Sequence, residues 1–282
     1  MALLFNRACA VTVAKPDSFF TQRPNALVVT DLRVQFQVEK AIGEQPNTCD
    51  VVITNLAEGT RGHVVARPLY VRLDAGYDGN LERLFTGDLL WGTSAKAGAD
   101  WETTLQLRDG DRAFRFARVS RSYRAGVSAR DAVAEAARAM GLTVKLSPRA
   151  ERELRAQYAS GLTLSGTASS ELSRLLSPFG MSWSIQDGRL QILLADELRA
   201  DQAVVVSEDA GMVGVPELGP PLRKGGKPIV TVKMQLYPRV TPGGKVRIES
   251  RTVRGTFKAL RVSHVGDTHG LPWETIVEGE SV

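Results

Sequence analysis

The fold is decided near the end of the chain, where residues 234–282 read MQLYPRVTPGGKVRIESRTVRGTFKALRVSHVGDTHGLPWETIVEGESV. A Thr-Pro-Gly-Gly turn at residues 241–244 interrupts strand-like runs, because proline and glycine suit the backbone angles of tight turns. Strands are predicted on both sides of this turn and beyond it: Ile229–Leu236, Lys245–Ser250, Gly255–His264 and Trp273–Glu278. The stretch therefore predicts a compact β-meander, and it contains no catalytic constellation.

The first 120 residues show the same strand pattern. Apolar residues alternate with polar ones over residues 26–38, which is typical of a half-buried strand. Asp109-Gly110-Asp111 separates two further predicted strands, Trp101–Arg108 and Ala113–Val119, and Asp-Gly in such a place predicts a tight hairpin. We expect these antiparallel strands to form a barrel or a sandwich.

The middle of the chain has the pattern of helices instead. Residues 128–141, SARDAVAEAARAMG, begin with a serine that can cap a helix and end with a glycine that can terminate it. A shift of 39 residues places Thr167 on Ser128 and Gly180 on Gly141, and the apolar helix positions and the following strand also recur. The sequence therefore predicts a small α/β module built from a 39-residue helix-strand repeat.

These patterns together predict a β-rich α+β fold in three parts. Residues 1–120 are expected to form a first antiparallel β-barrel, residues 121–194 the α/β module, and residues 195–282 a second β-barrel. Residues 207–228 hold five glycines and four prolines, so we expect a long loop there.

Positive charge is concentrated just after the first predicted barrel. Residues 112–155 hold 11 basic and 4 acidic residues, a balance of +7, against +5 for the whole chain. Five arginines recur at every third position: Arg112, Arg115, Arg118, Arg121 and Arg124. On a strand this spacing sends them to both faces, so a flat DNA-binding stripe is not implied. Two interpretations stay open: a solvated strand with its exit loop, or contact with an acidic partner subunit or with phosphate passing nearby.

The sequence offers one candidate metal site, near its end. His264, Asp267 and His269 straddle a glycine-containing turn, and the one other histidine is His63. A metal ion needs three or four converging ligands, so we expect a polar turn and no metal. No nucleophile elbow, phosphate loop or dinucleotide fingerprint is present. We therefore predict that the chain is not an enzyme and needs no cofactor.

The remaining signals concern packing and location. Cys9 and Cys49 are expected to be buried thiols, and the scattered aromatic residues are expected to pack in cores: Trp91, Trp101, Trp183, Tyr237 and Trp273. No run of 18 apolar residues is present, which predicts no transmembrane helix. Residues 1–10 are too short and too weakly apolar for a signal peptide, so we expect a chain that is made and kept in the cytosol.

The order and spacing of three stretches resemble a known family. These are Tyr77–Val119, Met212–Pro216 with MVGVP, and Leu236–Glu278 with its TPGGKVRI and GTFKALRVSHVGDTHGLPWETIVEG runs. Together they are similar to the baseplate or tail hub proteins of tailed phages, the late control and hub proteins. The chain is short for that family, so accessory domains of larger members are expected to be absent or reduced.

The resemblance implies a structural role. It predicts two tail-tube-like β-barrels flanking the α/β module, and a homotrimeric ring whose six barrels imitate the sixfold tail tube. Such a symmetry adaptor would join the tail tube protein to the central spike protein. It would also meet the tape-measure protein and neighbouring baseplate proteins, pass DNA transiently through its lumen, and insert into no membrane. The implied location is the virion tail or baseplate, assembled in the host cytoplasm.

Two alternatives stay beside this hypothesis. A tail-associated cell-wall hydrolase or carbohydrate-binding component would need a carboxylate pair across a groove or a zinc triad. A secretion-apparatus ring protein would share the structural role in another compartment. Under the hub hypothesis, we expect the 207–228 loop to be an interface arm that becomes ordered only on assembly.

Overall fold

A computed structural model describes residues 6–15, 26–66, 69–194, 196–199, 202–221 and 226–282. Among these residues no helix is both long and apolar enough to cross a membrane. The chain divides into two compact units. The first contains Met1–Ala41, Asn47–Arg108 and Gln202–Val282, and the second contains Ile42–Pro46 and Asp109–Asp201.

Where the structure describes it, the first unit begins with seven strands and one α-helix. They are β1 (Arg7–Ala14), β2 (Leu27–Val29), β3 (Val34–Ala41), β4 (Thr48–Thr54), α1 (Glu58–Val65), β5 (Tyr70–Tyr77), β6 (Asn80–Ala97) and β7 (Asp100–Arg108). Their side chains alternate between buried and more exposed positions, as in β3, where Val34, Phe36 and Val38 are buried. This alternation follows from the two-residue period of a strand and directs one face of the sheet to a core.

The described residues of the second unit form five strands and four α-helices, besides a short 3-10 helix at Ser177–Phe179. They are α2 (Asp111–Phe116), β8 (Arg118–Tyr123), α3 (Ala129–Ala139), β9 (Thr143–Leu146), α4 (Pro148–Glu153), β10 (Leu162–Thr167), α5 (Ala168–Leu176), β11 (Met181–Gln186) and β12 (Arg189–Leu194). Strand β12 lies between antiparallel β11 and parallel β9, whereas β8 and β10 form a separate antiparallel ribbon. Helices α3 and α5 contribute Val133, Ala136, Leu172 and Leu175 to the core of this unit.

The rest of the chain returns to the first unit with six more strands. They are β13 (Val204–Ser207), β14 (Met212–Gly219), β15 (Ile229–Gln235), β16 (Lys245–Glu249), β17 (Arg254–Asp267) and β18 (Trp273–Ser281). The four strands predicted in this stretch correspond to β15 to β18, with the 241–244 turn between β15 and β16. The predicted meander is wrong for the first of them, because β15 pairs with β18 and not with β16, whereas β16, β17 and β18 pair in succession.

Thirteen strands of the first unit form one sheet. Its order is β14-β15-β18-β17-β3-β4-β7-β6-β5-β1-β2, and β16 and β13 extend from β17 on a side branch. Strand β17 pairs with β16 over residues 254–258 and with β3 over residues 261–267. The β3–β17 ladder therefore joins the strands before residue 109 to the strands after residue 202.

Two separate apolar clusters lie in this unit. The first draws mainly on β1 to β7 and takes in Leu236 and Trp273 from the end of the chain. The second contains residues of β13 and β15 to β18, among them Val206, Val232 and Val262. Each fully buried aliphatic side chain contributes about 1.5–3 kcal/mol to folding, so each cluster is a substantial core.

The capped helices of the middle region are present. Ser128 caps α3 by accepting from the Asp131 amide, and Thr167 caps α5 by accepting from the Ser170 amide. Gly141 and Gly180, with φ of 68° and 61°, leave these helical segments in the left-handed conformation, and a strand follows each one. These local features match the sequence prediction, and the internal repeat itself stays a prediction.

The predicted hairpin at Asp109-Gly110-Asp111 is wrong. Residues 111–116 form α2 instead of a strand. The Asp109 carboxylate accepts from the amides of Asp187 and Gly188. The ring of Phe114 lies 6.1 Å from that of Trp183, and Ser169 donates to the Phe114 carbonyl at 3.0 Å. Tertiary contacts within the second unit thus override the local turn signal.

Two further differences concern the boundaries. The sequence predicts a long loop at 207–228, but Met212–Gly219 of this segment form strand β14. Residues 222–225 of the same segment lie outside the described part of the chain. The first unit gives way to the second between Arg108 and Asp109, whereas the sequence places its boundary at 120 and 121. The division into three domains stays a prediction. The first and the last of these predicted domains supply strands to one common sheet.

Candidate assembly surfaces

The outward face of the β3–β17 joint is polar. Side chains of β3, β17 and β18 line a shallow depression of about 370 Å³. Ser263 donates to Glu39 at 2.7 Å across the joint, and Arg261 lies 3.4 Å from Glu278 on the neighbouring strand. The Ser263–Glu39 bond ties the two halves of the sheet on the solvent side, whereas the Arg261–Glu278 pair lies within the later half.

The inward face of the same joint buries polar groups. His264 is fully buried, and its Nδ1 lies 2.8 Å from the Thr275 hydroxyl. Burial, with a smaller contribution from the charge of Lys40, lowers the pKa of His264 to about 3. The imidazole is therefore neutral at physiological pH and acts as a packed, hydrogen-bonded core group.

Asp267 fixes the turn between β17 and β18. Its carboxylate accepts two bonds from Arg33, at 2.7 and 3.2 Å, and one from Gln35 at 3.1 Å. The hydrogen bond from Arg33 is the main cause of a lowered Asp267 pKa. Arg7 also reaches this turn, where it donates to the Asp267 carbonyl and lies over the Trp273 ring.

The three residues singled out in the sequence as a possible metal site thus have separate roles. His264 is in a core, Asp267 pairs with Arg33, and exposed His269 lies against Thr268. Within the described residues, no group of three or more His, Cys, Asp or Glu side chains is arranged to hold a metal ion.

Both cysteines lie in or against the first apolar cluster. Burial, and secondarily the nearby Asp74 charge, raises the pKa of Cys9 to about 12, and burial also raises the pKa of Cys49. Both are therefore protonated, weakly reactive thiols. This agrees with their expected packing role.

The edge strand β14 exposes apolar side chains. Val215 and Leu218 are 65% and 64% exposed, and Val213 is also exposed. Among the residues that the structure describes, β14 pairs with β15 alone, with a register shift between Val213 and Glu217. A sheet edge with uncovered apolar side chains is a ready site for association with another chain. The alternating valines of MVGVP were the sequence signal that could have revealed this strand.

A second exposed element is the far part of the β6–β7 hairpin. Asn55 holds its tip by donating to Asp100 and accepting from the Trp101 amide. The Arg61 guanidinium of α1 lies 3.8 Å from the centre of the Trp101 ring. Trp91 and Trp101 are both exposed here, so the expectation of core packing is wrong for these two, whereas Trp183 and Trp273 are buried.

The five regularly spaced arginines all lie in the second unit, and all are exposed. The sequence placed them on one strand and its exit loop, but Arg112 and Arg115 belong to α2, where Arg115 pairs with Asp111 at 3.0 Å. Arg118 and Arg121 lie on β8, and Arg124 follows it. The structure therefore distributes the predicted stripe over a helix and a strand.

An open cleft of about 770 Å³ beside β16 carries mixed charge. Glu208, Asp209 and Glu249 line it together with Arg247, Arg251 and Arg254. Arg247 lies 2.7 Å from Glu249, and Arg251 lies 3.6 Å from Glu208. Paired acids and bases on an open wall resemble an ordinary solvated surface.

Comparison with known structures identifies the fold. A prophage MuSo2 43 kDa tail protein from Shewanella oneidensis superposes with a TM-score of 0.68 at 8% identity, and 96% of each chain is covered. A tail protein from Neisseria meningitidis MC58 gives 0.64 at 11% identity, with 98% of this chain and 97% of that chain covered. At such identities the similarity establishes a shared fold.

A secretion protein shares this fold too. An E. coli component of the type VI secretion system, described as similar to the T4 tail proteins gp27 and gp5, gives a TM-score of 0.62 at 11% identity. That comparison covers 89% of this chain and 74% of the other. No family model and no curated protein matches the sequence.

Proposed function

We propose that this chain is a structural hub of a phage tail baseplate, a symmetry adaptor that joins the tail tube to the central spike. The observation that carries the proposal is one thirteen-stranded sheet that runs over two separate cores through the β3–β17 ladder. The fold shared with tail proteins supports it. The sequence motifs favour the phage setting over the secretion apparatus, whose proteins have the same fold.

The two cores support a two-barrel interpretation. One is built by β1 to β7, and the other by strands that follow residue 202. If each core belongs to one tail-tube-like barrel, three chains present six barrels. A closed threefold ring can then face a sixfold tube on one side and a trimeric spike on the other.

The exposed edge β14 is the proposed site of contact between copies in a homotrimer. Its backbone donors and acceptors on the side away from β15 are available for another strand, and its valines and Leu218 would be buried by one. Strand β14 lies within residues 207–228, the segment that we expect to become ordered only when the ring assembles. Equal protease resistance of this segment in monomer and ring would contradict that expectation.

The remaining partners follow from the hub role. The β6–β7 hairpin, with exposed Trp91 and Trp101, is a candidate contact for the tail tube protein or a neighbouring baseplate protein. The central spike and the tape-measure protein would meet the ring at its face and in its lumen, where DNA passes transiently. The proposed location is the virion tail or baseplate after assembly in the host cytoplasm.

The hub proposal includes a non-enzymatic role. The neighbours in structure are described as tail and secretion components. The purified ring is expected to clear no cell-wall substrate in a zymogram. Clearing that survives purification to homogeneity would favour the hydrolase alternative.

Native mass spectrometry over a range of concentrations tests the ring directly. The wild-type chain is expected to reach three times its 30.6 kDa mass, alone or with the neighbouring tail proteins. The double variant Val215→Lys with Leu218→Lys is expected to remain a monomer because charges cannot be buried at that edge. Leu271→Lys, at another exposed leucine, is the matched control and should still form trimers. A wild-type chain that stays monomeric in every mixture would refute the proposal.

A further inference from the structure

Strand β8 is an open edge in the second unit. Within the described residues it pairs with β10 alone, from Arg118 opposite Thr167 to Tyr123 opposite Leu162. The other strand of this ribbon is partly covered, because Arg174 donates to the Thr163 carbonyl at 2.8 Å. Ser120, Arg121 and Ser122 are exposed. The backbone of β8 thus offers hydrogen-bonding groups to an added strand.

The arginines of β8 point to both faces of the ribbon. Arg118 lies on one side of β8, and Arg124 follows directly after the last residue of the strand. Arg121 falls on the opposite side and lies over the Tyr123 ring at 5.9 Å. Among the described residues, neither Arg118 nor Arg124 has an ion-pair partner. Two unneutralised cations therefore flank this edge.

An exposed aromatic residue precedes the strand. Phe116, the last residue of α2, is 72% exposed, although the neighbouring Phe114 packs against the core of its unit. Aromatic residues and arginine are the side chains most enriched at protein interfaces. Phe116 and the arginines together give this surface the composition of a protein interface.

We propose that β8 binds an acidic, extended segment of a partner protein as a third strand of the β8–β10 ribbon. Carboxylates on both faces of that segment would lie opposite Arg118, Arg121 and Arg124, and an apolar side chain would cover Phe116. The backbone of the segment supplies affinity, and the spacing of its acids supplies specificity.

The geometry favours a peptide over a nucleic acid. A phosphate backbone laid along the ribbon would meet arginines on one face and leave Arg121 on the other. It would also leave the backbone amides of β8 without the regular partners that a strand provides. A strand with an acid at every third position matches both faces at once.

Fluorescence anisotropy with the full chain tests this inference. The probe is a labelled peptide of about ten residues, near the length of a long strand, with glutamate at every third position and threonine or valine between. One comparison peptide has the same composition with glutamate at every second position, so that all acids lie on one face. Another keeps the first sequence but is N-methylated at alternate peptide bonds, and a single-stranded and a duplex oligonucleotide complete the set.

We expect the first peptide to bind best and to slow amide hydrogen exchange over residues 118–123. The paired change Arg118→Glu with Arg124→Glu should weaken binding at least about tenfold, since it replaces attraction with repulsion. Arg152→Glu with Arg155→Glu reverses two exposed arginines elsewhere in this unit and should preserve binding. Phe116→Ser should weaken binding without changing its salt dependence.

Three outcomes would overturn the inference: no binding of the first peptide, equal binding of the N-methylated peptide, or tighter binding of an oligonucleotide. The inference rests on the proposed function only in that a hub meets partner proteins. Trimer formation is measured separately by mass, so failure of the peptide experiment is distinguishable from failure of the hub proposal.

Discussion

At the β3–β17 joint the sheet buries polar side chains, whereas at its β14 edge it exposes apolar ones. In the joint, His264 and Lys40 are buried, and Asp267 is held by Arg33. On the edge, Val215 and Leu218 face solvent. Buried polar groups with partners stabilise the chain that contains them, while exposed apolar groups gain stability when another molecule covers them. The comparison teaches that the joint serves the fold of one chain, whereas the edge has the properties that the proposed association requires.

The strongest test of the joint is Trp273→Ala. The Trp273 ring meets the Phe36 ring edge-on at 5.4 Å, so it connects β18 with β3 inside the first apolar cluster. We expect the free energy of unfolding to fall by about 3–5 kcal/mol. Trp91→Ala, at an exposed tryptophan, should cost less than about 1 kcal/mol. Urea titrations of the two variants measure this difference. Equal losses of unfolding free energy would contradict the distinction between the buried joint and the exposed surface.

Asp267→Asn is expected to have an intermediate effect. The Arg33 side chain is 45% exposed, so solvent screens the pair, and we expect a loss of about 1–2 kcal/mol at pH 7. A carboxyl with a lowered folded pKa stabilises the fold above its unfolded pKa of about 3.9. That contribution is lost as pH falls through the lowered folded value. The wild type and Asp267→Asn should therefore converge in stability at acidic pH, and a constant difference would contradict the assigned pair.

Ser128→Ala measures a local contribution in the other unit. The Ser128 hydroxyl accepts from the Asp131 amide at 3.1 Å at the start of α3. Loss of such a cap costs about 1 kcal/mol. Ser160→Ala, at an exposed bend, should be close to neutral when both variants are compared by thermal unfolding. A neutral Ser128→Ala would show that core packing alone fixes the start of this helix.

The smallest effect on stability is expected at the edge. Val215→Lys with Leu218→Lys should change the unfolding free energy of the monomer by no more than about 0.5 kcal/mol, because both side chains are exposed before the change. The same variant is expected to abolish the trimer. If it unfolds the monomer instead, β14 is part of the fold of one chain and the contrast with the joint disappears.

Local signals predicted the elements that are governed by local chemistry. Ser128 and Thr167 cap their helices as expected, and the strands after residue 229 follow the alternating apolar pattern and its turns. The Asp109-Gly110 pair predicted a hairpin that is absent from the structure. The Asp109 carboxylate instead accepts hydrogen bonds from the amides of Asp187 and Gly188, which are remote in the sequence. No local pattern contains that information.

The candidate surfaces were harder to predict. Strand β14 was missed because proline and glycine indicate loops, yet Pro216 is tolerated on an edge strand that needs partners on one side only. The pairing of β3 with β17 joins residues more than 200 positions apart, so no local pattern in the sequence could predict it. Exposure of Trp91 and Trp101 depends on how far the β6–β7 hairpin extends, which composition does not encode.

One consequence of the shared strand β17 is mechanical. The first residues of β17 pair with β16 and its last residues pair with β3, while β18 pairs along the other side of β17. Tension applied along β17 would load these ladders in shear, so many hydrogen bonds must rupture together. We expect a single-molecule pulling experiment to give one high force peak for the sheet rather than two lower ones. Two lower peaks would show that the sheet over each core yields separately.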